Sequence, residues 1–216
     1  ALGHNVLFPL RNGVTGGILE GRMHPERVLK AVEVLGVTVL YSVATVYRRI
    51  LAIGGVETQF NLSSLRGCNA TGEALEAVTY NEWLDRIGCP IWEHYGVSEM
   101  QLVFGQCPHW PIKPGSVGKP LPGTRVEILD EKYQPVPVGE IGHMLIASDN
   151  PGFFIGYHKD QAKTNEVIHD GWYHTGDLAY RDEDDFLWIA GRNDDCFKSR
   201  GIFISPIEIE NALRQI

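Results

Sequence analysis

Four short segments hold the residue types that can do chemistry: Thr71-Gly72-Glu73, Tyr95-Gly96-Val97-Ser98-Glu99, Tyr173-His174-Thr175-Gly176-Asp177 and Gly191-Arg192-Asn193-Asp194-Asp195. Each sets a glycine, which lets backbone approach a ligand, near a carboxylate, and three of them add a hydroxyl. Each is expected where a strand ends. In open α/β sheets ligands collect outside the carboxyl ends of strands, so a nucleotide with its metal is a fitting occupant. Glu99 can hold Mg²⁺ through water while Ser98 donates to a phosphate oxygen. Asp177 can accept from two ribose hydroxyls, as acidic residues do at other nucleotide sites. Taken singly, Gly-Glu, Tyr-Gly and Gly-Asp pairs are ordinary turn material. The information lies in their order and spacing along one chain.

The elements that must position these residues follow from periodicity. Residues 24–35 open with Pro25 and Glu26 and carry Val28, Ala31, Val32 and Leu35 at helical spacing, which predicts an amphipathic helix. The apolar, partly β-branched run 37–43 suits a buried strand, and a second helix through Tyr47, Ile50 and Leu51 is stopped by Gly54-Gly55. A short strand near Leu65, a helix over 73–86 and a strand at 90–93 complete a β/α alternation. The fold class is therefore α/β, with a doubly wound, mainly parallel sheet up to about residue 100.

Beyond that point Gly and Pro recur every few residues between short alternating runs such as 125–129 and 141–147, which reads as a small antiparallel β module. Its last strand, 186–190, leads into Gly191-Arg192. Ser205-Pro206-Ile207-Glu208 then opens a helix with a cap residue, a first-turn proline and a capping-box glutamate. The division expected is 1–191 (1–110 α/β, 111–191 β module) followed by 192–216 as hinge and truncated start of a small α+β domain.

Composition narrows the partners. A net charge of -8 with scattered Lys and Arg leaves no basic stripe for a polynucleotide and none for an anionic membrane surface. No apolar stretch approaches the roughly 20 residues of a bilayer-crossing helix, so the chain reads as soluble, untargeted and cytoplasmic. Cys68, Cys89, Cys107 and Cys196 form no CxxC and have no histidine at finger spacing, so free thiols are expected.

The ordered series LSSLRGCNATGEAL (62–75), YGVSE (95–99), GEIGHMLIASDNPGFFIGYHKD (139–160), GWYHTGDLAYRDEDDFLWIAGRNDD (171–195) and FKSRGIFISPIEIE (197–210) closely resembles the adenylate-forming, AMP-binding superfamily. That superfamily comprises acyl- and aryl-CoA synthetases, luciferases and peptide-synthetase adenylation domains. The resemblance covers nearly the whole chain. It implies that Thr71, Gly72 and Glu73 line an adenine slot, with Tyr95 and Gly96 flanking the base from the other side. Ser98 would touch the α-phosphate region and Glu99 would bind Mg²⁺. Asp177 and Arg192 would hold the ribose hydroxyls, and Asp194 would be the hinge about which a small domain turns between half-reactions. Lys198 and Gly201 would belong to the loop that serves the second half-reaction, Gly201 leaving room for the pantetheine arm of coenzyme A. His4 and the run 43–47 resemble the part that walls the acyl pocket.

The implied reaction activates a small carboxylic acid, short- to medium-chain or benzoate-type, with ATP to an acyl-adenylate, releasing pyrophosphate, and passes the acyl group to CoA. The implied partners are the acid, ATP or AMP, Mg²⁺ and CoA, and a homodimer is compatible with them. Two rival readings stand beside it: an adenylation domain that loads a carrier-protein thiol, and a non-catalytic relic of a synthetase. Ser98 stands where the family most often has threonine, which keeps the hydroxyl. The family's upstream phosphate loop with its lysine, the lysine near its C-terminus, and any GxxxxGKS or GxxxxGKT are absent from these 216 residues. The expectation is a fragment, inactive by itself.

Overall fold

The computed structural model describes residues 3–199 and 202–213, so Gly201 lies outside the described residues. The chain forms two compact units, Ala1–Glu93 and His94–Ile216. Their division falls inside one strand, β3.

The first unit starts with a π-helical turn, Gly3–Leu7, that runs into α1 (Phe8–Asn12). Helix α2 (Pro25–Leu35) begins with proline in its first turn and stops at Gly36, whose left-handed backbone (φ 60°) closes the end by donating to the Val32 carbonyl. Its buried face is Val28, Leu29 and Val32, whereas Leu35, expected on that face, is 65% exposed beside the cap. Strand β1 (Val39–Ser42) pairs in parallel with β2 (Gly67–Thr71), Val39 opposite Gly67. Between them come α3 (Ala44–Leu51) and the short α4 (Val56–Gln59). Helix α5 (Ala77–Ile87) starts four residues later than the sequence suggests, because Glu76 takes an extended, N-cap backbone. The first half of β3 (Ile91–Val97) follows.

The core of this unit gathers around Trp83 and Tyr47, whose rings meet edge to face at 4.9 Å. Tyr47 can be buried because its hydroxyl donates to the Asn69 carbonyl at 2.8 Å. Cys68 and Cys89 are buried free thiols with their sulfurs 3.9 Å apart.

The second unit opens with the rest of β3, which pairs antiparallel with β4 (Gln101–Gly105), and β4 in turn with β5 (Lys119–Pro120). Its larger sheet has the order β10-β9-β7-β6, antiparallel throughout. These strands are β6 (Val126–Leu129), β7 (Gly142–Ala147), β9 (Trp172–Arg181) and β10 (Leu187–Arg192), with β8 (Ile168–His169) on β9. This is the antiparallel module read from the Gly/Pro rhythm. Helix α6 (Gln161–Val167) lies between β7 and β8 and is capped by Asp160, which accepts from the Lys163 N–H at 2.9 Å. It was not read from the sequence, since DQAKTNEV has no apolar stripe. The acidic run 182–185 forms the β9–β10 turn, Asp182 accepting from the backbone of Asp184 and Phe186 and pairing with Lys113. A hairpin of β11 (Phe197–Ser199) and β12 (Ile202–Ile204), then α7 (Pro206–Leu213), end the described chain. Val103, Phe104, Val126, Ile128, Met144, Ile146 and Leu187 make the core of this unit.

Candidate functional site

A cleft of about 700 Å³ opens in the second unit. Ser98, Glu99, Thr175, Gly176, Asp177, Arg192, Asn193 and Asp194 are among its lining residues. Four of the residues singled out in the sequence as nucleotide or metal ligands therefore reach one cavity, together with the hinge candidate.

Asp177 reaches it through a bulge. Strand β9 does not end at this motif, as expected, but runs on to Arg181. Between the pairs Leu145 opposite His174 and His143 opposite Leu178, β7 advances two residues while β9 advances four. The extra residues are held by Thr175, whose hydroxyl donates to the Met144 carbonyl at 2.8 Å and accepts from the Asp177 N–H at 3.0 Å. Gly176 sits at φ 74°, where glycine is favoured, and a Cβ there would stand 2.8 Å from an Arg192 nitrogen and push that guanidinium aside. A bulge of this kind re-aims a side chain, here Asp177, toward the cleft.

Strand β10 supplies the cation. Arg192 lies opposite Asp177 in the ladder, and its Nη1 donates to Asp177 Oδ1 at 3.0 Å and to the Thr175 carbonyl at 2.9 Å. The other carboxylate oxygen, Oδ2, accepts from the Tyr95 hydroxyl. Tyr95 also stacks on Phe104 at 5.2 Å, so its ring is fixed from one face and its hydroxyl from its tip. Burial and then the Asp177 charge push the Tyr95 phenol far up, which keeps it a proton donor. For Arg192, burial lowers the pKa, but Asp177 beside it outweighs that and the net direction is up.

The second carboxylate is Glu99. It follows the tight turn at Ser98, which is exposed at the cleft. Two contacts from the 153–157 segment grip it. The Phe154 N–H donates to the Glu99 carbonyl at 2.7 Å, and the Tyr157 hydroxyl donates to Glu99 Oε1 at 2.5 Å. Tyr173 stands beside both groups, and its phenol is raised by burial first and by the Glu99 charge next. Gly96 serves a different need: a Cβ there would lie 1.9 Å from the Gln101 carbonyl oxygen, so the residue makes room for β4 rather than for a ligand.

The lining is acidic. Glu99, Asp130, Glu131, Glu166, Asp177 and Asp194 face Lys163 and Arg192, which leaves a polyphosphate short of positive charge within this unit. Among the described residues no group of three or more His, Cys, Asp or Glu could hold a metal ion by itself. Mg²⁺ is commonly held by one or two carboxylates plus waters and substrate phosphates, so a single oxygen donor such as Glu99 fits that chemistry.

The remaining candidates lie elsewhere. Thr71 ends β2 and Gly72 follows at φ 88°, both in the first unit. The Glu73 carboxylate accepts from the Thr45 N–H at 2.9 Å and the Thr45 hydroxyl at 2.6 Å, and Arg48 lies 3.6 Å away. It thereby satisfies one of the open N–H groups at the start of α3, that of Thr45. Lys198, expected on a loop, belongs to β11 opposite Phe203. Tyr157 was not singled out, and Tyr173 and Thr175 were named in their segment without a role, although all three lie inside the quoted motif stretches. Their aromatic or hydroxyl character was the only available signal.

The family profile described as AMP-binding enzyme matches residues 1–158, so the chain belongs to the AMP-binding enzyme family. Among curated relatives, the uncharacterized acyl–CoA ligase YtcI of Bacillus subtilis is 34% identical over 207 residues, 96% of this chain and 39% of its own length. The 4-hydroxybutyrate–CoA ligase 1 of Metallosphaera sedula is 35% identical over 211 residues, 95% of this chain and 37% of its own. The crystal structure of the anthranilate CoA ligase AuaEII in complex with anthranoyl-AMP superposes with a TM-score of 0.92 at 33% identity, covering 99% of this chain and 41% of that one. The chain thus spans about two fifths of the length of these relatives.

Proposed function

We propose that these residues form the ribose- and metal-facing half of an ATP-dependent acid–thiol ligase, which activates a small carboxylic acid as its adenylate and passes the acyl group to CoA. The observation that carries the reading is the Asp177 carboxylate, aimed into the cleft by a bulge and pinned by Arg192 and Tyr95, with Glu99 lining the same cavity. Asp177 accepts from the ribose hydroxyls while Arg192 and Tyr95 hold its carboxylate. Arg192 keeps that carboxylate oriented and reaches the same sugar. Ser98 donates near the α-phosphate. Thr71, Gly72 and Glu73 line the adenine slot, with the Glu73 carboxylate kept on α3.

In the first half-reaction an oxygen of the substrate carboxylate attacks the α-phosphorus and pyrophosphate leaves. Two anions approach one another in that step, so charge must be cancelled. Glu99 would hold Mg²⁺, which when bound would supply that cancellation, and the acidic lining makes the need acute. In the second half-reaction the CoA sulfur attacks the acyl carbonyl carbon and AMP leaves. Asp194 is the hinge for the rotation between the two states, and Lys198 and Gly201 belong to the segment that the second state brings in. The acid is short- to medium-chain or benzoate-type, a reading supported by relatives named for 4-hydroxybutyrate and anthranilate. A cytoplasmic setting with ATP and free CoA suits it.

Phosphate-clamping lysines from outside these residues are required, so adenylation belongs to the longer polypeptide. Full-length polypeptide carrying this segment is expected to exchange pyrophosphate into ATP when given such acids and to form the CoA thioester. Residues 1–216 by themselves are expected to do neither. Exchange by residues 1–216 overturns the division of labour, thioester formation only on a carrier protein overturns the CoA assignment, and no exchange by the full-length polypeptide with any acid supports a relic.

A further inference from the structure

We propose that Tyr157 is a positioning residue for the metal, acting through Glu99, an inference that rests on the metal role given to Glu99 above. The geometry around it is determined at three points. The Tyr157 N–H donates to the Thr164 hydroxyl at 2.9 Å, and that hydroxyl donates to the Asp160 carbonyl at 2.9 Å, so the backbone is tied to the first turn of α6. Gly156 just before it sits at φ 138° against Thr164, 3.2 Å from where a Cβ would be, so a side chain there would be strained and crowded. The ring packs against Phe154 at 5.0 Å, and Phe154 packs against Tyr173 at 6.5 Å. The hydroxyl then reaches Glu99 across 58 residues of sequence.

A glutamate side chain on a turn has free rotations that a metal must freeze before it binds. Here the phenol takes one lone pair of Oε1 in a short, charge-assisted hydrogen bond and fixes the plane of the carboxylate. Tyr173 stands beside the same carboxylate, and the lone pairs that the two phenols leave are those for a cation and its waters at the cleft. The Phe154 N–H holds the same residue by its carbonyl, so main chain and side chain are gripped from one segment. Hydrogen-bond partners of ligating carboxylates typically account for tenfold to a hundredfold in metal affinity.

The test uses the full-length polypeptide with α,β-methylene-ATP and Mn²⁺, free and bound metal being counted by electron paramagnetic resonance. Tyr157→Phe is expected to weaken Mn²⁺ binding about tenfold, with AMP affinity in EDTA unchanged by calorimetry. Glu99→Gln is expected to weaken it at least as much. Unchanged Mn²⁺ affinity in Tyr157→Phe with AMP binding intact overturns the proposal while leaving Glu99 as ligand. Unchanged affinity in Glu99→Gln overturns the metal reading itself, and this proposal with it. Should Tyr157→Phe lose AMP binding through misfolding, Thr164→Val decides: it frees the Tyr157 backbone and is expected to weaken Mn²⁺ about threefold, as a partial loss of the same support. Unchanged affinity there counts against the proposal.

Discussion

Two motifs that look alike in sequence, Thr71-Gly72-Glu73 in the first unit and Tyr95-Gly96-Val97-Ser98-Glu99 at the start of the second, are used in opposite ways. In the first, glycine is needed for its backbone angle, φ 88°, a Cβ there meeting only Val43 at 4.0 Å, and the glutamate turns back to cap α3 through Thr45. In the second, glycine is needed for space, against the Gln101 carbonyl, and the glutamate is turned outward to a cleft by a tyrosine from a distant segment. A glycine beside a carboxylate thus marks a place where backbone and charge are arranged, and what they are arranged for depends on the partner. The carboxylates that can serve a ligand are those whose donors sit beside a cavity rather than on a helix end.

The largest effect that sharpens this contrast is steric. Gly96→Ala in the full-length polypeptide should cost about 3 kcal/mol or more, because a methyl group cannot share space with a carbonyl oxygen and the β3–β4 hairpin must open. Denaturant midpoints with and without AMP read it, and a loss under about 1 kcal/mol would show that the close approach is not needed.

A dry carboxylate gives the next effect. Glu93, 2% exposed, accepts from the Leu75 N–H at 3.0 Å and leaves Oε2 without a partner among the described residues, and burial pushes its pKa up to about 8 from 4.5. The raised value means that the folded state holds a proton which the unfolded state has released. Its stability is therefore full below about pH 4.5 and falls progressively as pH rises to about 8. Glu93→Gln should flatten that part of the stability curve in a pH series of melts, and an unchanged slope would locate the pH dependence elsewhere.

The smallest effect belongs to the helix cap. Glu73→Ala should lower stability by about 1 kcal/mol, the usual worth of a cap, while AMP affinity stays within about threefold, since the carboxylate is occupied within its own unit. A much larger loss of AMP affinity with stability kept would move Glu73 to the ligand side of the comparison.

Much of this was legible in the chain. Helix α2 and strand β1 follow from period and punctuation, and the β module follows from its Gly/Pro rhythm. That Glu99, Asp177 and Arg192 share one cleft was legible because three motifs fell in a fixed order, which single turn dipeptides cannot provide. Other features needed three dimensions. The bulge that aims Asp177 is a register shift between β7 and β9, invisible in either strand alone. Leu29 lies in the core, and Leu35, on the Val28 face but the last residue of α2, is exposed. Tyr157 is one aromatic among many in the GFFIGYHKD stretch, and only its bond to Glu99 separates it from the rest. Strand β4 follows the tight turn so closely that its antiparallel return was hidden behind the motif.

The central claim is that Asp177, held by Arg192 and Tyr95, is the ribose seat. Calorimetry of the full-length polypeptide with AMP and 2′,3′-dideoxy-AMP, on the unaltered protein and on Asp177→Asn, tests it most directly. Hydrogen bonds to a charged group are worth about 1.5–3 kcal/mol each, so loss of the hydroxyls should weaken binding to the unaltered protein by roughly a hundredfold. In Asp177→Asn the two ligands should differ by only a few-fold. An equal penalty for the missing hydroxyls in both proteins would contradict the account.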